Sequence, residues 1–190
     1  MHRLGLDLVW ALDLSKSMAR AHGELRPSKL DAAREAVALG SSRILDKPGG
    51  RAALVGFHDR AFPLLPPTQN YKSLLETLSM LKAVGEGSAA GDGVVEAVKL
   101  VRRSGREKRV VVVSDGGFNA GIPLPLAAIY ARNSGVSIHF IIVGDPPGEG
   151  LKRLLDEAIE STGGSWTHVG RAEDLARAVR EVLPPEAKTV

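Results

Sequence analysis

The chain has 190 residues, of which 44% are hydrophobic and 25% charged, and these are ordinary values for a globular protein. The length predicts one domain over residues 1–190 that is long enough to bury a core. The formal net charge of +3 is too small to require a polyanionic partner. The absence of cysteine excludes disulfides and thiolate metal sites.

Further features of the sequence bear on the location of the protein and on its source. Asp7 interrupts the N-terminal apolar run, and no small-residue cleavage site follows it. No apolar stretch reaches the roughly 20 residues that cross a bilayer, so we expect a cytoplasmic protein with no membrane partner. Side-chain amides are scarce, and this depletion fits either a thermophilic source or a GC-rich genome.

Apolar patterning in the first part of the chain predicts a strand, a helix and a hairpin. Residues 6–12 are nearly all apolar, which is typical of a strand buried on both faces of a parallel sheet. Ser28 is a candidate cap for a helix that ends at Pro48-Gly49-Gly50. Strands at 51–57 and 61–65 follow, and their short connection permits only a hairpin. The second of them should therefore be an antiparallel edge strand that Pro66 and Pro67 end.

The rest of the chain alternates helices and strands. Helices are predicted at 71–81, 94–103, 123–133, 151–162 and 172–183, and strands at 109–114, 137–144 and 166–169. The alternation predicts an α/β fold, a doubly wound and mostly parallel six-stranded sheet with one antiparallel edge strand and helices on both faces. A glycine-rich segment at 84–93 follows a helix, whereas a dinucleotide-binding loop must follow a strand directly.

Polar side chains follow two of the buried strands. Asp13, Ser15 and Ser17 come after the first strand, and Asp115 follows the strand at 109–114. Ligands of such sheets bind beyond the carboxyl ends of strands where the strand order reverses, so these segments and the Ser88 loop converge if the two strands are neighbours. Carboxylate and hydroxyl oxygens suit Mg²⁺ or Mn²⁺ better than Zn²⁺. The same residues can instead form a turn and a helix cap.

The sequence resembles the von Willebrand factor A (VWA) domain family, whose members carry a metal-ion-dependent adhesion site (MIDAS). Asp13-Leu14-Ser15-Lys16-Ser17 matches the family's Asp-x-Ser-x-Ser loop, and Ser114-Asp115-Gly116 matches its Thr-Asp-Gly or Ser-Asp-Gly segment. Ser88 stands where the family usually has threonine, so the ligand oxygen is kept but the methyl that restricts the rotamer is lost. The resemblance covers roughly residues 5–183 and implies a VWA or Rossmann-like fold.

The resemblance implies a divalent metal, Mg²⁺ or alternatively Mn²⁺ or Ca²⁺, and a protein partner. The metal-binding residues it implies are Asp13, Ser15, Ser17, Ser88 and Asp115. The three serines would contact the metal through hydroxyls, and the aspartates directly or through water. A partner would complete the site with an acidic residue, and an AAA-type ATPase is the partner class that the resemblance suggests. Either Glu86 or Asp92 could be an extra ligand, or each could be a solvated loop charge or a helix-start acid.

The residues leave two alternative functions open. A metal-dependent hydrolase is one alternative, although haloacid dehalogenase phosphatases need an acid where Ser15 stands, and no nucleophile elbow or P-loop occurs. A degenerate VWA scaffold that binds partners or nucleic acid without metal is another. Nucleic acid is disfavoured because the basic cluster at 102–109 has no interleaved aromatic residues. We therefore predict a binding module with no catalytic residues, not an enzyme.

Overall fold

The computed structural model describes residues 5–23, 25 and 27–184. Its strands are β1 (Leu6–Asp13), β2 (Arg51–Phe57), β3 (Ala61–Thr68), β4 (Glu107–Ser114), β5 (Ser137–Val143) and β6 (Ser165–Val169). Its helices are α1 (Lys29–Leu45), α2 (Tyr71–Met80), α3 (Ala90–Val101), α4 (Leu124–Asn133), α5 (Glu149–Thr162) and α6 (Leu175–Val182). Short 3₁₀ turns lie at Lys16–Ala19 and Ala172–Asp174. In this described part, no helix combines the length and apolarity needed to span a membrane.

The strands form one sheet in the order β3-β2-β1-β4-β5-β6, and the predicted fold class is confirmed. Only β3 runs antiparallel to its neighbour, as expected of the hairpin's edge strand. The chain moves from β1 outward to β2 on one side and returns to β4 on the other side. The strand order therefore reverses between β1 and β4, which pair in parallel with Leu12 opposite Val113. This places the crevice that the sequence predicted beside Asp13.

Hydrophobic clusters cover both faces of the sheet. Alternate residues of β1 serve opposite faces, so that Leu8 and Trp10 pack in the cluster with α1, α2 and α6, and Val9 in the cluster with α3, α4 and α5. The fully buried Trp10 indole donates a hydrogen bond to Ser41 of α1 at 2.9 Å. Because helices pack against the strand side chains on both faces of the sheet, the strand ends are rigid supports for the loops that follow them.

The element boundaries differ from prediction by three residues or more at three places. Strand β3 continues through Pro66 and Pro67 to Thr68, because an edge strand needs ladder hydrogen bonds on one side only. Helix α3 begins at Ala90 rather than at residue 94, since its early glycines allow close packing: a Cβ on Gly91 would lie 1.9 Å from the Ile122 carbonyl oxygen. The closing helix is preceded by the 3₁₀ turn and begins only at residue 175.

Candidate metal centre

The structure brings all five predicted metal-binding residues to one edge of the sheet. Asp13 is the last residue of β1, Ser15 directly precedes the 3₁₀ turn that contains Ser17, Ser88 precedes α3, and Asp115 follows β4. A depression of about 300 Å³ opens above Asp13, and it is lined by Ser15, Ser17, Glu86, Ser88, Asp115, Gly117 and Asn119. The convergence follows from the parallel pairing of β1 and β4, which puts both strand ends at the same height.

Asp13 is the hydrogen-bonding centre of the depression. Its Oδ1 accepts the Ser15 backbone N–H at 2.9 Å. Its Oδ2 accepts the hydroxyls of Ser88 at 2.8 Å and Ser114 at 2.5 Å. The side chain is fully buried, and this burial raises the pKa of Asp13 above its usual value even though the serine hydrogen bonds oppose the rise. One carboxylate thus ties together the three segments that carry the site.

Three serine hydroxyls lie at the depression. The Oγ atoms of Ser15 and Ser17 lie 3.1 Å apart. Ser88 gives its hydroxyl hydrogen to Asp13, and a hydroxyl that donates its hydrogen keeps two lone pairs for another partner. All three serines line the same depression. The local geometry therefore presents oxygen lone pairs to the depression.

Asp115 is held by a lysine from α1. Its Oδ2 accepts a hydrogen bond of 2.5 Å from Nζ of Lys29, and the two side chains are only 11% and 13% exposed. Burial alone would raise the pKa of Asp115, but hydrogen bonds from Lys29 and Ser17, with the lysine's charge, outweigh burial and lower it. Asp115 is therefore an ionised carboxylate at neutral pH, and it faces a cation of the protein itself.

The Ser88 loop is positioned by two residues to which the sequence analysis gave no role. Asp59, in the β2–β3 turn, accepts the backbone N–H groups of Gly87 at 2.8 Å and Glu86 at 3.2 Å. Asn119 accepts the Ser88 N–H through Oδ1 at 2.9 Å, and its own N–H donates to the Ser88 carbonyl at 3.2 Å. The rarity of side-chain amides was a usable signal for Asn119. Nothing local distinguished Asp59 from a surface acid in a turn.

Glu86 and Asp92, which the sequence offered as possible extra ligands, have different surroundings. Glu86 lines the depression and pairs with Lys16, and both side chains are largely exposed. Asp92 lies in the first turn of α3 and accepts the Ile122 N–H at 2.9 Å, so it joins the helix to the following loop. Asp92 thus has the helix-start role, while Glu86 is a charged rim residue.

The basic cluster lies at the other end of β4 from Asp115. Within it, Arg109 pairs with Glu107 at 2.8 Å, and Lys108 donates to the Ser104 carbonyl at 3.3 Å. Arg106 donates to the Gly49 carbonyl at 3.2 Å. These basic side chains are thus bound to neighbouring carbonyl groups and to an acid at the edge of the sheet. Their contacts offer no evidence for a phosphate-binding surface.

The donor set fits a hard divalent cation. Three hydroxyls and two carboxylates converge, and hard cations of the Mg²⁺ type take oxygen ligands while keeping some waters. Over residues 5–23, 25 and 27–184, no group of three or more histidine, cysteine, aspartate or glutamate residues could hold a metal by itself. Any cation here would accordingly depend on serine oxygens, which are neutral and bind less strongly than carboxylates.

Comparison with known proteins decides the family. A profile described as von Willebrand factor type A domain matches residues 8–118, which is more than half of the chain. The chain belongs to the VWA domain family. The matched residues include Asp13, both loop serines, Ser88 and Asp115, so the whole candidate centre lies inside the part of the VWA domain that the profile describes.

Two other proteins are similar to the chain at low sequence identity. A UPF0353 protein of Mycolicibacterium paratuberculosis is 27% identical over 156 residues, covering 75% of this chain and 46% of that protein. The chain thus spans about half the length of this curated relative. The conserved hypothetical protein BatB of Bacteroides thetaiotaomicron superposes with a TM-score of 0.76 at 20% identity, covering 94% of this chain and 98% of BatB.

A further solved structure contains a metal at the corresponding kind of motif. Proximal thread matrix protein 1 of the mussel byssus, with a zinc-occupied MIDAS motif, superposes with a TM-score of 0.78 at 20% identity. The match covers 95% of this chain and 45% of the mussel protein. At this identity the likeness shows the fold, and it shows that a VWA domain with this fold accommodates a divalent ion at its MIDAS.

Proposed function

We propose that this VWA domain binds a divalent cation and uses it to dock an acidic residue of a partner protein. Ser15, Ser17 and Ser88 would hold the cation through hydroxyls, and Asp13 and Asp115 would balance its charge. The observation that carries the proposal is the convergence of these side chains around one depression at the switch point of the sheet. Mg²⁺ is the proposed ion, with Mn²⁺ and Ca²⁺ as alternatives, because the donors are all oxygens.

A bound cation would supply an electrophilic centre at the bottom of an open depression. The chain's own residues do the rest. Asp13 orients Ser88 and joins β1 to β4, while Asp59 and Asn119 hold the Ser88 loop against the depression. A further oxygen ligand would then come from outside the domain. A carboxylate suits that position, because charge attraction and oxygen chemistry both favour it.

The site is proposed to bind and not to catalyse. Two acids line the depression, and each is paired with a lysine: Glu86 with Lys16 and Asp115 with Lys29. An acid held in an ion pair is a poor general base because its charge is already stabilised. The partner class that the family resemblance suggests is an AAA-type ATPase, with which the domain would act in the cytoplasm.

Calorimetric titration of Mg²⁺ and Mn²⁺ into chelator-treated protein tests the metal site. Wild type should bind one equivalent saturably, and Ser17→Ala should bind more weakly because one donor oxygen is removed. Ser79→Ala is the matched control, since it removes a hydroxyl on α2 that donates to the Glu76 carbonyl and lies outside the depression. Equal binding by wild type and Ser17→Ala would remove the loop serines from the site.

A pull-down with and without chelator tests the docking step. Capture of a partner that requires metal, and that Ser17→Ala weakens, supports metal-mediated docking. Capture that chelator does not affect would instead favour a scaffold that binds its partners without metal. Substituting the acidic residues of the captured protein one at a time would then identify the carboxylate.

A further inference from the structure

Lys29 occupies an unusual place for a cation. It is the first residue of α1, where the helix dipole and the free backbone N–H groups disfavour positive charge. Its side chain is nevertheless only 13% exposed, and its ammonium group lies 2.5 Å from Oδ2 of Asp115, which is 86 residues away in the chain. Local helix preference does not explain this residue. The ion pair with Asp115 does.

The space for the Lys29 side chain is built into the fold. Gly144 directly follows β5 and has a φ of +104°, and a Cβ added there would lie 2.9 Å from Cδ of Lys29. The backbone N–H of Lys29 donates to the Arg20 carbonyl at 3.0 Å, which fixes the start of the helix. The lysine stem is therefore enclosed and its ammonium group is directed to Asp115. A surface lysine would keep many rotamers.

The Lys29 charge acts directly on the candidate metal centre. Asp13 and Asp115 together carry two formal negative charges, and Lys29 cancels one of them. A divalent cation held by these residues would thus leave the site positive overall. Because the ion pair is largely buried, solvent and salt screen the Lys29 charge only weakly. The repulsion between the Lys29 ammonium group and a nearby metal cation is correspondingly strong.

We propose that Lys29 is a built-in cation that weakens the binding of metal and makes the metal-loaded site selective for a negatively charged partner group. The inference rests on the proposed function, since it concerns the same site. Without Lys29, two carboxylates would neutralise the metal. With it, the charge balance is completed only when a carboxylate arrives from outside, so metal and acidic partner bind cooperatively.

Lys16, in the loop after β1, provides a matched comparison with Lys29. It carries the same charge and lies one residue from Ser15 and Ser17, but its side chain is 60% exposed and pairs with Glu86, which is 75% exposed. Its field at the depression is screened by water, and so is the field of the exposed Glu86 charge that its removal would leave unpaired. Removing the Lys16 charge should therefore have little effect on the metal.

The test is Mg²⁺ titration of the full chain at one fixed pH for wild type, Lys29→Met and Lys16→Met. Methionine keeps the apolar stem of lysine and removes the charge. We expect Lys29→Met to bind Mg²⁺ about tenfold more tightly or better, and Lys16→Met to stay within about twofold of wild type. Lys29→Arg, which keeps the charge, should remain near wild type. The Lys29→Met difference should persist at high KCl.

Acetate serves as the probe for the partner carboxylate. At constant ionic strength, replacing chloride by acetate should raise the Mg²⁺ affinity of wild type more than that of Lys29→Met. Thermal unfolding without metal checks the fold of each variant, and Lys29→Gln replaces Lys29→Met if the latter does not fold.

The outcomes separate this inference from the function on which it rests. Unchanged or weaker Mg²⁺ binding by a folded neutral variant, with wild type binding normally, overturns the role of Lys29 and leaves the metal site intact. Absence of Mg²⁺ and Mn²⁺ binding in wild type and in the neutral Lys29 variants overturns both. Binding that appears only when Lys29 is neutralised supports the inference directly.

Discussion

The Ser114 hydroxyl donates a hydrogen bond of 2.5 Å to the Asp13 carboxylate, and both residues are fully buried. The bond joins the last residue of β4 to the last residue of β1 across the point where the strand order reverses. The same Ser114 oxygen accepts the Gly116 N–H at 3.0 Å. A single hydroxyl therefore links Asp13 to the loop that carries Asp115.

Ser114→Ala should destabilise the protein and weaken metal binding together. The substitution leaves a buried carboxylate with one donor fewer, and such a loss costs about 1–3 kcal/mol of unfolding free energy. Urea unfolding at pH 7 in chelator measures this change. Ser161→Ala on α5 is the control, because its hydroxyl donates to the Ala158 carbonyl of its own helix. Equal effects of the two substitutions would contradict a special role for Ser114.

Asp13→Asn should separate stability from metal binding. Because the folded state raises the pKa of Asp13 above its usual value of 3.8, the native protein binds this proton more tightly than the unfolded chain does. Asp13 consequently favours the fold at low pH and loses that contribution as pH rises through the raised pKa. We expect the asparagine variant to be at least as stable as wild type at pH 7 without metal.

Added Mg²⁺ should raise the unfolding midpoint of wild type and leave that of Asp13→Asn unchanged, because a ligand stabilises only the state that binds it. Denaturant unfolding with and without Mg²⁺ measures both effects. A large loss of stability in the variant under chelator would show that the Asp13 charge holds the fold by itself.

Asp59→Ala should weaken metal binding without removing any ligand. Asp59 anchors the loop through the N–H groups of Gly87 and Glu86, and those hydrogen bonds lower the pKa of its exposed carboxyl group, with Gly87 the largest cause. Without them Ser88 should be less well positioned, and Mg²⁺ titration should give a lower affinity. Asp156→Ala, on α5 beside Trp166, serves as the charge-matched control. Equal Mg²⁺ affinity in Asp59→Ala and wild type would show that Asn119 alone positions the loop.

His139 should make the protein sensitive to acid. This histidine is 4% exposed on β5, and burial, followed by the charge of Arg109, lowers its pKa from 6.5 to about 4. The unfolded chain therefore binds the proton first as pH falls. Unfolding free energy should be unaffected by His139 above pH 6.5 and should fall between pH 6.5 and pH 4, by up to about 3 kcal/mol.

Urea unfolding across this pH range, compared with His139→Gln, measures the contribution. The glutamine variant should show a flatter profile, because it cannot take up a proton. Equal slopes in wild type and His139→Gln would assign the acid sensitivity to other groups.

Local sequence patterns were sufficient for the elements of this fold. Unbroken apolar runs identified β1, β4 and β5, because a strand covered on both faces has no solvent side to mark with polar residues. The short turn at 58–60 identified β3 as an antiparallel neighbour of β2. Oxygen-bearing side chains at the ends of β1 and β4 marked the candidate centre, since that edge is where such sheets bind ligands.

Only the tertiary structure decided which of these groups touch. The bonds from Ser88, Lys29 and Ser114 into the site span 75, 86 and 101 residues of chain. No local period encodes contacts at such separations, because they depend on strand order and on packing of both faces against the sheet. For the same reason α3 begins earlier than its apolar pattern indicates: its glycines meet the Ile122 carbonyl and the Phe57 ring. Residue types and strand ends could be read from the sequence. The buried ion pair between Lys29 and Asp115 required the folded chain, since Lys29 reaches Asp115 only where α1 passes the carboxyl end of β4.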